Sequence, residues 1–154
     1  MIDLTGESST LLFRIVVAAF LGALIGFERD IHGRAAGLRT HLLVSMGAAV
    51  FVILSELIAS FGQTDLGSLT ARPDPGRIAA QVVTGIGFLG AGAIIKEGLT
   101  IRGLTTAASL WVVAGIGMAS GAGYYRIASL TTLLALCCLV GLKYFEKLYQ
   151  KKFL

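Results

Sequence analysis

A chain of 154 residues in which 55% are hydrophobic and only 14% charged carries more apolar surface than a water-soluble core of that size can hide. The excess implies a lipid solvent, and the length leaves room for one compact unit, so a single transmembrane domain over 1–154 is expected. The formal charge of +4 raises the question of nucleic acid, but no basic module with interleaved aromatic residues is present to read it, so nucleic acid is excluded as a partner.

Asp3 and Glu7 precede the first apolar run and no basic region does, which argues against a cleaved signal peptide. Five apolar runs, 11–27, 42–61, 77–95, 105–122 and 126–145, approach the about 20 residues needed to cross hydrocarbon. The expected fold is therefore an all-α integral membrane protein, a bundle of five transmembrane helices. An odd number of spans puts the chain ends on opposite sides. With the N-terminus outside, Arg29, Arg34, Arg39, Lys96, Arg102, Lys143, Lys147, Lys151 and Lys152 lie inside, and only Arg14, Arg72, Arg77 and Arg126 lie outside. That asymmetry predicts an external N-terminus and a cytoplasmic C-terminus.

Gly62 to Gly76, with Gly67, Ser68, Pro73, Asp74 and Pro75, reads as an external loop, because its prolines bar a regular helix. Beyond the fifth run, Lys143, Lys147 and Lys151 recur every four residues among Tyr144, Phe145, Tyr149 and Phe153. That pattern fits a helix end resting on anionic lipid, or a plain stop-transfer anchor. Cys137 and Cys138 are adjacent and so face different ways on a helix, which suits packing better than a disulfide or a metal.

The stretch from Arg77 to Trp111 reads as a tight helical hairpin at the centre of the bundle. Helix-interior glycines each cost roughly 1 kcal/mol in water, but in lipid they let helix backbones approach closely. We therefore expect the third span to lie deep among its neighbours, and Gly22, Gly26, Gly85, Gly87, Gly90 and Gly92 to be close-packing positions. Ala18, Gly22 and Gly26, and likewise Gly115, Ala119 and Gly123, form small-residue series suited to packing within the chain or to a dimer face. Phe20-Leu21-Gly22-Ala23 recurs as Phe88-Leu89-Gly90-Ala91, and Gly37-Leu38-Arg39-Thr40 is echoed by Gly103-Leu104-Thr105-Thr106. The echo suggests a parallel duplication of a helical hairpin, spans 1–2 and 3–4.

Polar groups inside a bilayer are costly unless paired, so each is a candidate site residue. Arg14, Glu56, Arg77, Gln81 and Thr84 make up an intramembrane polar cluster, in which Arg14 and Glu56 are expected to pair or to join Asp74, Arg77 and Arg126. Glu28, Arg29, Arg39, Thr40, Lys96, Glu97, Arg102 and Thr105 gather at the cytoplasmic mouth, where Thr40 and Thr105 or Thr106 are suited to cap helices. That mouth is either a self-neutralising ring of salt bridges or an anion site. His32 and His41 read as loop or cap residues with no ligand partner at metal spacing, so no metal and no cofactor is expected.

The runs GFERDIHGRAAGLRTHLLVSMGAA, Gly26 to Ala49, and RIAAQVVTGIGFLGAGAIIKEGLTIRGLTTAASLWVVAGIG, Arg77 to Gly117, resemble the MgtC/SapB family of bacterial membrane proteins. The resemblance implies a multi-pass protein of the cytoplasmic (inner) membrane, linked to growth in low magnesium and, in pathogens, to survival inside macrophages. The family is often labelled a magnesium transporter, yet its best-known member is regarded as a regulator that restrains the rotary ATP synthase and affects phosphate uptake. Many members carry a cytoplasmic C-terminal domain, and this chain ends at Leu154.

Magnesium prefers carboxylate and water oxygens, and Glu56 is the one acidic residue inside a span. Gly-Ile-Gly-Phe-Leu-Gly matches a dinucleotide fingerprint only by letter, and no nucleophile–base pair appears, so no enzyme is expected. The expected function is a non-enzymatic regulator, a homodimer that binds membrane lipids and the helices of another membrane protein such as the ATP synthase. The alternative is a magnesium or other cation transporter that uses Glu56 and the glycine-rich third span.

Overall fold

A computed structural model describes residues 4–61, 74 and 76–153, with side chains described except at 4–7, 61 and 143–153. The chain runs α1 (Leu4–Ile31), α2 (Leu38–Phe61), α3 (Gly76–Ala93), β1 (Ile95–Glu97), β2 (Thr100–Arg102), α4 (Leu104–Gly121) and α5 (Tyr125–Phe153). The expected loop from 62 to 75, apart from Asp74, and the side chains of Lys143, Lys147, Lys151 and Lys152 lie outside the described residues.

Among the described residues, four helical segments are long and apolar enough to cross a membrane: Ser8–Ile31, Leu38–Ser60, Leu104–Gly121 and Tyr125–Leu142. α3 is not among them. Its 18 residues include Arg77, Gln81 and five glycines, and at about 1.5 Å per residue it is slightly shorter than the about 30 Å of hydrocarbon.

The packing corrects the expected centre of the bundle. α4, not α3, is the helix buried on several sides, with Ser109, Leu110, Val113, Ala114, Ile116, Gly117 and Ser120 all covered. One apolar cluster joins Leu21 and Ile25 of α1 to Val113 and Ile116 of α4 and Ala128 of α5. A second joins Ala48 of α2 and Ile86 of α3 to Leu110 and Ala114 of α4. α3 buries only Ile86 and Gly90, and Gln81 and Thr84 are exposed. Thr84 tolerates that position because its hydroxyl donates to the Ala80 carbonyl of its own turn at 3.1 Å, so it needs no protein neighbour.

α2 and α4 run parallel and nearly touch. A Cβ at Gly117 would overlap the Ser45 carbonyl, and one at Gly121 would lie 2.8 Å from the Ala49 Cα. α1 approaches α2 in the same way: a Cβ at Gly22 would lie 2.6 Å from the Ser45 Cβ, and one at Gly26 would lie 2.8 Å from the Leu38 Cα. The small residues of α1 are thus used within the chain. On α4 the working pair is Gly117 and Gly121, because these are the positions that face α2. Gly115 meets open space, and Gly123 sits beyond the helix at φ +80.

Glycines also set the turns. β1 and β2 pair antiparallel through a two-residue turn whose first central residue, Gly98, has φ +60. The helical hairpin expected from Arg77 to Trp111 thus carries a short β-hairpin in its connection. Gly103, at φ +89, begins α4, and any Cβ there would strike the Ala93 carbonyl as the chain doubles back. The hairpins α1–α2 and α3–α4 therefore point the same way, each with a glycine, Gly37 or Gly103, directly before its second helix.

Candidate functional site

Polar side chains in this apolar bundle collect at two ends. At the end where α1 stops and α2 and α4 begin, Glu28 is 7% exposed and Arg29 3%. Arg29 grips the neighbouring carboxylate with both sides of its fork, Nε to Oε2 at 2.6 Å and Nη2 to Oε1 at 3.2 Å. His32, one turn further along α1, places Nδ1 2.9 Å from Glu28 Oε1. This arrangement neutralises charge where solvent is scarce, since an unpaired buried ion would cost several kcal/mol. One nitrogen, Arg29 Nη1, is buried without a hydrogen-bond partner among the described residues.

His41 is the residue that sequence reasoning missed. Expected at a loop or cap, it is fully buried on α2. Its Nδ1 lies 2.9 Å from the Gly37 carbonyl and its Nε2 3.0 Å from Ser109 Oγ, which in turn lies 2.8 Å from the Thr106 carbonyl. A neutral ring and the Ser109 hydroxyl hold two protons between them for these three contacts, and the Ser109 hydroxyl donates to the Thr106 carbonyl. One turn deeper, Ser45 donates to the Ala18 carbonyl at 2.7 Å. His41 and Ser45 thus tie α2 to α4 and α1 by side-chain hydrogen bonds. The available signal was their spacing of four residues, continued by Ala49 and Val52 on one buried face.

The remaining mouth residues do not join this core. Arg39, Thr40, Lys96, Glu97, Arg102 and Thr105 are exposed, and neither a salt-bridge ring nor an ion pair to Glu28 or Arg29 connects them among the described residues. The expected threonine caps are also corrected. α4 is preceded by Gly103 with no side-chain cap, and α2 starts two residues before Thr40. Thr105 and Thr106 lie inside the first turn of α4, with Thr106 buried.

At the opposite end, Arg14 Nη1 donates to Glu56 Oε2 and to the Gly121 carbonyl, each at 2.9 Å. The guanidinium thereby joins α1, α2 and the C-terminus of α4, where the last helical carbonyls lack partners of their own. Arg77, Gln81 and Thr84 are not part of this lock: Arg77 and Gln81 line a groove between α2 and α3, and Thr84 bonds its own helix. Asp74 accepts the Gly76 N–H at 2.8 Å and caps α3. Of the expected close-packing glycines, Gly22 and Gly26 touch neighbouring backbone and Gly90 meets Ala107 at 3.6 Å. Gly85, Gly87 and Gly92 have nothing within 4 Å among the described residues.

Among the described residues, no group of three or more His, Cys, Asp or Glu is placed to hold a metal. The chemistry on display is charge neutralisation and helix locking.

The chain is similar to Protein MgtC of Salmonella typhimurium, 49% identical over 133 residues that cover 86% of this chain and 52% of the relative. It is similar to the Escherichia coli K12 protein named "Putative magnesium transporter YhiD", 49% identical over 129 residues covering 81% of this chain and 58% of that one. Protein MgtC of Brucella abortus is 49% identical over 116 residues, 75% of this chain and 44% of its own. The chain thus spans about half the length of the curated relatives it matches. No solved structure matches. The MgtC family model matches residues 15–148, the region that holds the α1–α2–α4 core and begins directly after Arg14, and the chain belongs to the MgtC family.

Proposed function

We propose that this protein is a non-enzymatic regulator in the cytoplasmic membrane, acting in adaptation to low magnesium by pairing its α3 with other membrane helices. The observation that carries this reading is the uncovered outer face of α3. Thr84, Gly87 and Ala91 recur there at spacings of three and four residues, all exposed. Such a strip of small residues lets another helix approach closely in lipid. Its occupants are a second copy of this chain, in a homodimer, and a helix of a partner such as the ATP synthase or a component of phosphate uptake. In this reading α3 crosses the membrane with the other four helices, N-terminus outside and C-terminus cytoplasmic, as the distribution of arginine and lysine favours.

Transport is the competing reading, and the name of the Escherichia coli relative carries it. The geometry weighs against it, because Glu56 is already engaged by Arg14 at 2.9 Å. A magnesium ion would have to displace that guanidinium before gaining its first carboxylate. The test is magnesium flux into liposomes holding the purified protein. The regulator reading predicts no uptake above empty vesicles, whereas saturable uptake lost in Glu56→Gln would establish transport. Reporter fusions after Ser68 and Leu154 test the orientation, with outside and inside respectively as the expected results.

A further inference from the structure

The face of α3 that turns toward α2 differs from its outer face. Between the two helices lies a groove of about 870 Å³, within the about 300–1,000 Å³ usual for small-molecule sites. Ala48 and Ile86, both buried, form its floor. Gly47 and Gly85 leave room above that floor, since neither has a neighbour within 4 Å of where a Cβ would stand. The lining is apolar except at one end, where Arg77 and Gln81 stand one turn apart.

That end carries a charge with no partner among the described residues. Arg77 makes no ion pair or side-chain hydrogen bond with any described residue. Asp74, the nearest carboxylate in sequence among the described residues, uses Oδ1 to cap α3. A guanidinium at a membrane boundary draws in an anion, and its fork matches phosphate oxygens in bidentate fashion. The amide of Gln81 adds a donor on the same side.

We propose that the groove between α2 and α3 binds an anionic phospholipid, with an acyl chain lying along Gly47, Ala48 and Gly85 and the headgroup phosphate on Arg77. The pattern of one cation at the mouth of an apolar slot matches an amphiphile carrying one negative charge. A helix from a second copy fits less well, because a symmetric pairing through this groove would bring a second Arg77 to the same interface. This site is independent of the regulator reading, which uses the outer face of α3.

The experiment uses the full chain carrying Trp111→Phe and Phe51→Trp, so that the only indole lines the groove. It is reconstituted in phosphatidylcholine vesicles containing either phosphatidylglycerol or phosphatidylcholine brominated in the acyl chain. The expected result is quenching that reports an about fivefold preference for phosphatidylglycerol, the ratio corresponding to roughly 1 kcal/mol for one basic residue near a membrane surface. Arg77→Gln should abolish the preference, Arg77→Lys should retain most of it, and Arg126→Gln, an exposed arginine outside the groove, should leave it unchanged. Equal quenching by both lipids, or a preference that survives Arg77→Gln, would overturn the proposal. So would the absence of quenching by either lipid, which would place a protein helix in the groove.

Discussion

The α2–α4 contact and α3 use the same residue type in opposite ways. Gly117 and Gly121 are pressed against the backbone of α2, so their missing side chains are what allow two helices to run side by side. Gly85, Gly87 and Gly92 meet nothing among the described residues, and their missing side chains leave a smooth helix with little to grip there. A glycine therefore specifies packing only when a neighbouring backbone already stands opposite it. The polar groups divide in the same way: His41, Ser45 and Arg14 bridge helices, while Thr84 bonds its own turn and Arg77 faces the groove.

The largest expected effect lies on the packed side. Gly117→Ala places a methyl group against the Ser45 carbonyl and should cost about 3 kcal/mol, the upper end of overpacking penalties. It should appear as a large drop in melting temperature in detergent or as loss of monodisperse protein. His41→Ala comes next, at about 2 kcal/mol, because it removes the hydrogen bond to Ser109 and leaves a hole between α2 and α4. A wild-type melting temperature would show that the bridge is dispensable. Arg14→Ala should cost about 1–2 kcal/mol, tempered because the pair with Glu56 is partly exposed. Glu56→Ala should cost less, since the bond from Arg14 to the Gly121 carbonyl survives it. The double variant should match Arg14→Ala alone, and additive losses would separate the two residues energetically. Smallest is Gly87→Ala, expected to be neutral or to gain up to about 1 kcal/mol by stiffening an exposed helix. A marked loss there would mean that α3 is covered after all.

The membrane class, the helix count and the Arg14–Glu56 proximity were legible in the sequence, because long apolar runs and opposite charges at matching depth are local signals. What was not legible depended on which helix faces which. Counting glycines pointed to α3 as the centre, but centrality came from α4, whose Ser109, Val113, Ile116 and Ser120 are small or shapely enough to be covered on several sides. His41 looked like a loop residue because it follows a glycine and an arginine so closely. Only its partnership with Ser109, 68 residues on, reveals its place. The β-hairpin hid within a charged stretch, although Ile95, Lys96, Thr100, Ile101 and Arg102 flank a glycine as a two-residue turn requires.

The central claim is that α3 presents a free face to other helices while α1, α2 and α4 form a closed core. Oxidative cross-linking in native membranes addresses it directly, with Cys137 and Cys138 replaced by serine and single cysteines introduced by Thr84→Cys, Gly87→Cys or Ala91→Cys, and by Ser45→Cys or Ser120→Cys as buried controls. The account predicts disulfide-linked species of twice the chain mass from the three α3 positions and none from the controls. Monomers throughout, or adducts as frequent at Ser45 and Ser120 as on α3, would contradict it.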